Sequence, residues 1–212
     1  MNANNNQENE KLKPCGIYFD IEKMYDRVKL FAEDNGLTQT LYALDIAKEK
    51  HSGQYRKGEG KIPYFYHPLL MTYHAISLKL IDDDILSTTL LHDVIEDTDT
   101  NIDDLEVSSK TKNAVLLLTK TKGYNNKDYY EGILKDKTAL LVKVLDRTNN
   151  ISHMAQGFSE AKMIKYIKET EEYIYHLIDK GQNLYPDCSN VLFVLKFHLK
   201  SLIETIKAII YR

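Results

Sequence analysis

Scarcity of chain breaks constrains this fold most. Only nine glycines and four prolines occur in 212 residues, about half the average usage. Sandwiches and propellers need far more turns, so the chain reads as long helices joined by short polar breaks. Ile21, Met24, Tyr25, Val28 and Phe31 recur at helical spacing and predict a helix over 20–33, stopped at Asn35-Gly36. Leu41, Leu44 and Ala47 predict a second over 38–51. A third opens at His67-Pro68, because proline suits the first helical position and pushes the preceding residue into the cap position. A fourth spans 84–97, entered through Asp82-Asp83-Asp84, with acids well placed at a helix N-terminus. Its stretch from 85 to 95 has so little polar surface that the helix should be central. Thr98 to Asn101 caps a short helix, and further helices fit 108–119, 137–151, 159–180 and 187–210. No strand has a strong signal. The prediction is an all-α bundle of about eight to ten helices, with any site between central helices.

The length is that of one compact domain. Residues 1–13 are polar and rich in Asn and Gln. They read as a disordered tail, since they bury too little apolar surface to offset ordering entropy; 14–212 reads as a single domain. The first ten residues lack the apolar stretch of a secretory signal. Cys15 and Cys188 are the only cysteines, and neither sits in Cys-x-x-Cys, which fits a reducing cytoplasm. Lys and Arg number 28 against 31 Asp and Glu, a net charge of −3. That mildly acidic balance argues against nonspecific nucleic-acid binding and against a polybasic membrane patch. It leaves room for an anionic small molecule in a local basic pocket. No apolar run approaches the roughly 18 residues that a membrane span needs. Oligomeric state stays open between monomer and homodimer.

The string His92-Asp93-Val94-Ile95-Glu96-Asp97 carries the chemistry. His92 and Glu96 are four apart, as are Asp93 and Asp97, so on one helix each pair shares a face. A chain of this composition yields such a string about 0.01 times by chance, which makes it moderately specific. The plain alternative is an acidic helix end with a satisfied histidine. Carboxylates and imidazoles crowded after an apolar run are costly to desolvate unless something positive compensates, and a divalent cation would. His67, 25 residues upstream, and Asp146, at the edge of the apolar run 140–145, can complete such a site. Two imidazoles and two carboxylates suit Mn²⁺, Fe²⁺, Mg²⁺ or Zn²⁺ rather than Cu(I).

Four ordered segments resemble the hydrolase domain of the RelA/SpoT family, a branch of the HD-domain metal-dependent phosphohydrolases. They are His51-x-Gly-Gln-x-Arg-Lys57, Pro63-Tyr-x-x-His-Pro68, Leu90-Leu-His-Asp-Val-Ile-Glu-Asp-Thr98, and Val142-Lys-Val-Leu-Asp-Arg147 with Asn150. Weaker echoes are Leu118-Thr-Lys120 and the stretch 169–181. The resemblance covers roughly 38–182. It implies an HD-domain helical bundle in which His67, His92, Asp93 and Asp146 bind one Mn²⁺. Glu96 and Asp97 would be the acid/base pair, Arg56 and Lys57 cations against the purine or its phosphates, and Asn150 a nucleotide contact. The implied reaction removes the 3′-pyrophosphate of (p)ppGpp, giving GDP or GTP and pyrophosphate. Other readings are a related phosphohydrolase acting on ppApp, the NADPH 2′-phosphate or a nucleoside monophosphate, and a non-catalytic nucleotide-binding module.

The chain departs from the family where Thr148-Asn149 replaces an apolar residue followed by histidine. Lys120, Lys122 and Lys143 are candidate partners for outer phosphates. Tyr124, Tyr129 and Tyr130 are candidates for stacking on a base. His74 reads as packing or support for a ligand, and His153, His176 and His198 carry no assigned role.

Overall fold

A buried helix built from Asp83-Asp-Ile-Leu-Ser-Thr-Thr-Leu-Leu91 organises the molecule. All seven residues from Ile85 onward are buried, including three hydroxyl side chains. Two of these back-bond within the helix: Ser87 Oγ donates to the Asp83 carbonyl at 2.6 Å and Thr89 Oγ1 to the Ile85 carbonyl at 2.8 Å. Such bonds let polar side chains enter a core without an orphaned donor.

The computed structural model describes residues 18–57 and 61–211. The tail reading for 1–13, Cys15, Gly58 and Gly60 fall outside the described residues. Among the described residues the helices are α1 (Ile21–Asp34), α2 (Thr38–Lys50), α3 (Tyr66–Ser77), α4 (Asp83–Leu91), α5 (Val94–Asp97), α6 (Ser109–Leu118), α7 (Asn126–Leu134), α8 (Lys137–Gly157), α9 (Glu160–Glu169), α10 (Tyr175–Leu184) and α11 (Ser189–Ile210). No strand is formed among them, so the all-α expectation holds. α4 packs against α2, α3, α6 and α8, and α8 in turn against α11. One apolar cluster joins α1 to α4 through Val28, Leu44, Leu69 and Leu90. A second joins α3, α4 and the C-terminal helices through Met71, Leu86, Leu141 and Leu195. α3 and α4 contribute to both, so their polar ends meet α8 where the two cores adjoin.

Four local expectations need correction. His67 lies inside the first turn of α3 rather than at its cap, which is Phe65. The helix expected over 84–97 breaks at His92-Asp93, and its last turn is the separate α5. α7 has no counterpart in the sequence reading; its start is set by Asn125, whose side chain accepts from the Lys127 and Asp128 amides. α8 runs six residues past its expected end. Between α9 and α10 a π turn spans Thr170–Ile174. There Arg147 Nη1 lies 3.4 Å from the Tyr166 carbonyl, which also accepts from Thr170 Oγ1 at 2.7 Å. A side chain entering the carbonyl ladder is a recognised cause of such irregularity.

Candidate active site

α3, the α4–α5 break and α8 place His67, His92, Asp93 and Asp146 side by side. His92 Nε2 is 3.1 Å from Asp93 Oδ2 and 4.0 Å from Asp146 Oδ1. His67 Nε2 is 3.3 Å from Asp146 Oδ1 and 3.8 Å from Asp93 Oδ2. His67, His92 and Asp93 offer ligand atoms within 4.8 Å of one another.

The far nitrogens set the ring orientations. His92 Nδ1 is 2.9 Å from the Thr89 carbonyl, which only accepts, so Nδ1 carries the proton. His67 Nδ1 faces Asn149 Oδ1 at 2.7 Å and donates to it. Both Nε2 atoms therefore turn toward the carboxylates, and a hydrogen-bonded Nδ1 is the usual support for a metal-ligating imidazole. Tyr64 donates to Asp93 Oδ2 at 2.6 Å. Lys143 donates to Asp146 Oδ2 at 3.0 Å, and Asn150 Nδ2 to Asp146 Oδ1 at 2.5 Å.

Buried imidazoles and carboxylates shift one another strongly here. Burial would lower the His92 imidazole, yet Asp93 and then Asp146 push it up to about 9. Burial would raise Asp146, but Lys143 and the two histidines hold it well below the carboxylate range. Burial, followed by the Asp93 charge, raises the Tyr64 phenol, which stays a donor. Burial and then Arg56 lower His67. His92 Nε2 is buried and has no hydrogen-bond partner. His67, His92 and Asp93 have the donor types and spacing for a divalent ion, with Asp146 Oδ1 beside them, so the donor set fits a metal.

Around the cluster lies a cavity of about 350 Å³ lined by Glu96, Asp97, Lys120, Lys143, Lys162 and Tyr166, among others. Glu96 and Asp97 are exposed carboxylates there. Glu96 Oε2 accepts from the Lys120 amide at 3.0 Å, and Gln54 Nε2 donates to the Asp97 carbonyl at 3.0 Å. A neighbouring cavity of about 270 Å³, lined by Arg56 and Lys57, shares Tyr64, Asp97, Asn150 and Phe158 with the first. Arg56 Nη2 donates to Asn150 Oδ1 at 2.7 Å, linking the cationic loop to Asp146 through Asn150.

All nine predicted site residues border these two cavities or belong to the His/Asp cluster. Lys120 and Lys143 line the first cavity, and Lys122 does not. Of the tyrosines proposed for stacking, Tyr124 and Tyr129 lie against Lys120, and Tyr130 is buried on Arg147 and Glu169. Sequence reasoning missed Asn149, Phe158, Lys162 and Tyr166. Lys162 Nζ stands 3.5 Å from the Phe158 ring centre. Burial, then Lys57 and Arg56, lower its ammonium, so three cations converge where the cavities meet. Asn149 is marked in the sequence only as a departure from the family pattern; for the other three the one signal is Phe158-Ser159 at a helix start, where Ser159 caps α9.

No family model matches the chain. A guanosine-3′,5′-bis(diphosphate) 3′-pyrophosphohydrolase of Aquifex aeolicus is 31% identical over 173 residues, 76% of this chain and 23% of that protein. The chain thus spans about a quarter of that relative's length. A mouse protein of the same name is 28% identical over 161 residues, covering 69% of this chain and 88% of its own. The bifunctional (p)ppGpp synthase/hydrolase SpoT of Escherichia coli is 27% identical over 62% of this chain and 20% of its own. Among solved structures, a metazoan ortholog of SpoT superimposes with a TM-score of 0.64 at 21% identity, over 79% of this chain and 94% of that one. Among the described residues no helix is long and apolar enough to cross a membrane. By ordered motifs, helical fold and relatives, the chain is similar to the hydrolase region of RelA/SpoT-type proteins.

Proposed function

We propose that this protein hydrolyses the 3′-pyrophosphate ester of (p)ppGpp, releasing GDP or GTP and pyrophosphate. The convergence of two imidazoles and two carboxylates on one point beside a cation-lined double cavity carries this reading. In it, His67, His92, Asp93 and Asp146 hold one Mn²⁺. When bound, that ion supplies Lewis-acid stabilisation of phosphate charge and a more acidic water.

The chain's own groups do the rest. Phosphoryl transfer needs in-line placement and charge neutralisation more than covalent participation. Arg56, Lys57 and Lys162 neutralise the nucleotide's phosphates, and Lys120 faces the outer pair. Asn150 already joins Arg56 to Asp146 and orients the nucleotide between them. Glu96 or Asp97, both exposed at the cavity wall, takes the proton from the attacking water. The water oxygen forms a bond to phosphorus, the bond to the ribose 3′-oxygen breaks, and a carboxylic acid or a second water returns a proton to that oxygen. On this reading the protein works in the cytoplasm, as a monomer or homodimer, on a small nucleotide rather than on nucleic acid or a membrane.

Incubating the purified protein with Mn²⁺ and ppGpp should give GDP and pyrophosphate in equal amounts. Absence of pyrophosphate would refute the reading. Ranking ppGpp, ppApp, NADPH and nucleoside monophosphates by kcat/KM tests the base and phosphate preference. Asn149→Leu removes the acceptor that orients His67. Mn²⁺ affinity should then fall by about 10–100-fold, read by titrating the ion against an unchanged far-UV spectrum; unaltered affinity would show that Asn149 does not support the ligand.

A further inference from the structure

A third cavity, of about 370 Å³, lies behind α8, between α3 and α11, with Thr148 and Asn149 in its wall. It also holds His74, from the last turn of α3, and His198, from α11. We infer that His74 and His198 form a second metal site, separate from the catalytic cluster, for a borderline ion of the Zn²⁺ class.

The two rings face each other from different helices with centres 6.1 Å apart and planes 33° off parallel. Two imidazoles sharing an ion at about 2.1 Å per bond set their ring centres roughly 5–6.5 Å apart. Neither ring is hydrogen-bonded among the described residues, so no partner competes for their lone pairs. No Asp or Glu lines the cavity. An all-imidazole set without carboxylates favours Zn²⁺, Ni²⁺ or Cu²⁺ over Mg²⁺ or Mn²⁺, whereas the mixed cluster at His67 suits Zn²⁺ and the harder ions alike. The cavity leaves space for waters to complete the coordination. A third imidazole in the same wall, His153, is 8% exposed and has an Nε2 without a hydrogen-bond partner.

The position gives the site a consequence. His74 lies two turns along α3 from His67, and Asn149, whose side chain holds His67 Nδ1, borders the cavity. An ion here staples α3 to α11 behind the catalytic cluster.

Zn²⁺ titrated into the full-length protein, followed calorimetrically, should saturate at two equivalents. His74→Ala and His198→Ala should each weaken one equivalent at least tenfold and leave the other unchanged, while His176→Ala retains both. His198 is exposed, so its variant keeps the fold, which circular dichroism checks. Asp146→Asn should weaken the other equivalent and spare this one. Saturation at one equivalent, or two undiminished equivalents in His198→Ala, overturns the assignment.

Discussion

Asp146→Asn is expected to lower ppGpp turnover by at least ~10³-fold, about 4 kcal/mol of transition-state stabilisation. Its Oδ1 faces both imidazole Nε2 atoms, at 3.3 and 4.0 Å, and no other carboxylate approaches His67 Nε2 closer than 3.8 Å. The substitution also strips Lys143, 8% exposed, of its ion-pair partner. A buried ammonium without a counter-charge is costly, so the single variant should lose thermal stability as well. Adding Lys143→Met removes the stranded charge. The double variant should regain most of its thermal midpoint while turnover stays lost, which separates chemistry from folding. Turnover within tenfold of wild type in either variant would remove Asp146 from the site.

The largest effect on stability should come from Glu169→Gln. Among the described residues Arg147 is the largest fully buried side chain, 1% exposed, and its Nη2 donates to Glu169 Oε1 at 2.6 Å. Tyr130 donates to the same oxygen at 2.7 Å, and the Tyr166 ring covers the guanidinium at 3.9 Å. Removing the carboxylate leaves a buried cation uncompensated, at a cost of about 3–5 kcal/mol. For a chain of this size that lowers the thermal midpoint by roughly 6–20 °C. The double substitution Arg147→Met with Glu169→Leu should recover most of it, because apolar packing replaces a buried pair well.

The pH dependence follows from the same pair. Burial raises the Glu169 carboxyl, but Arg147 and Tyr130 more than offset this and hold it below its ordinary 4.5. Its stabilisation is therefore complete above 4.5 and is lost as pH falls through the lowered folded value. The gap in midpoint between wild type and Glu169→Gln should close in acid; a gap that persists there would assign the loss to shape rather than charge.

The helices were legible where periodicity and capping coincide. α1 and α2 start and stop within a residue or two of expectation, since an N-cap Asp20 and the Asn35-Gly36 stop act locally. α7 escaped because nine residues with Gly132 inside carry too weak a pattern, and its stability comes from Tyr130 and Ile133 docking on distant helices. The break at His92-Asp93 escaped because apolar spacing continues across it. At the site, His67, His92, Asp93 and Asp146 stood out as costly polar groups beside apolar runs. Asn149 stood out only as a departure from the family pattern, and Phe158 and Lys162 in no way, since each matters through partners far along the chain.

Periodicity, scarce breaks and donor chemistry act over a few residues, and from them alone come the helical architecture and a mixed nitrogen–oxygen cluster; the family resemblance rests on four ordered motifs. Packing decided the remainder. The His67–Asn149 contact spans 82 residues and the Arg56–Asn150 contact 94. Such pairs meet only when two apolar cores lock α3, α4 and α8 together. Ring orientation, the joined cavities and the histidine pair behind α8 follow from that docking.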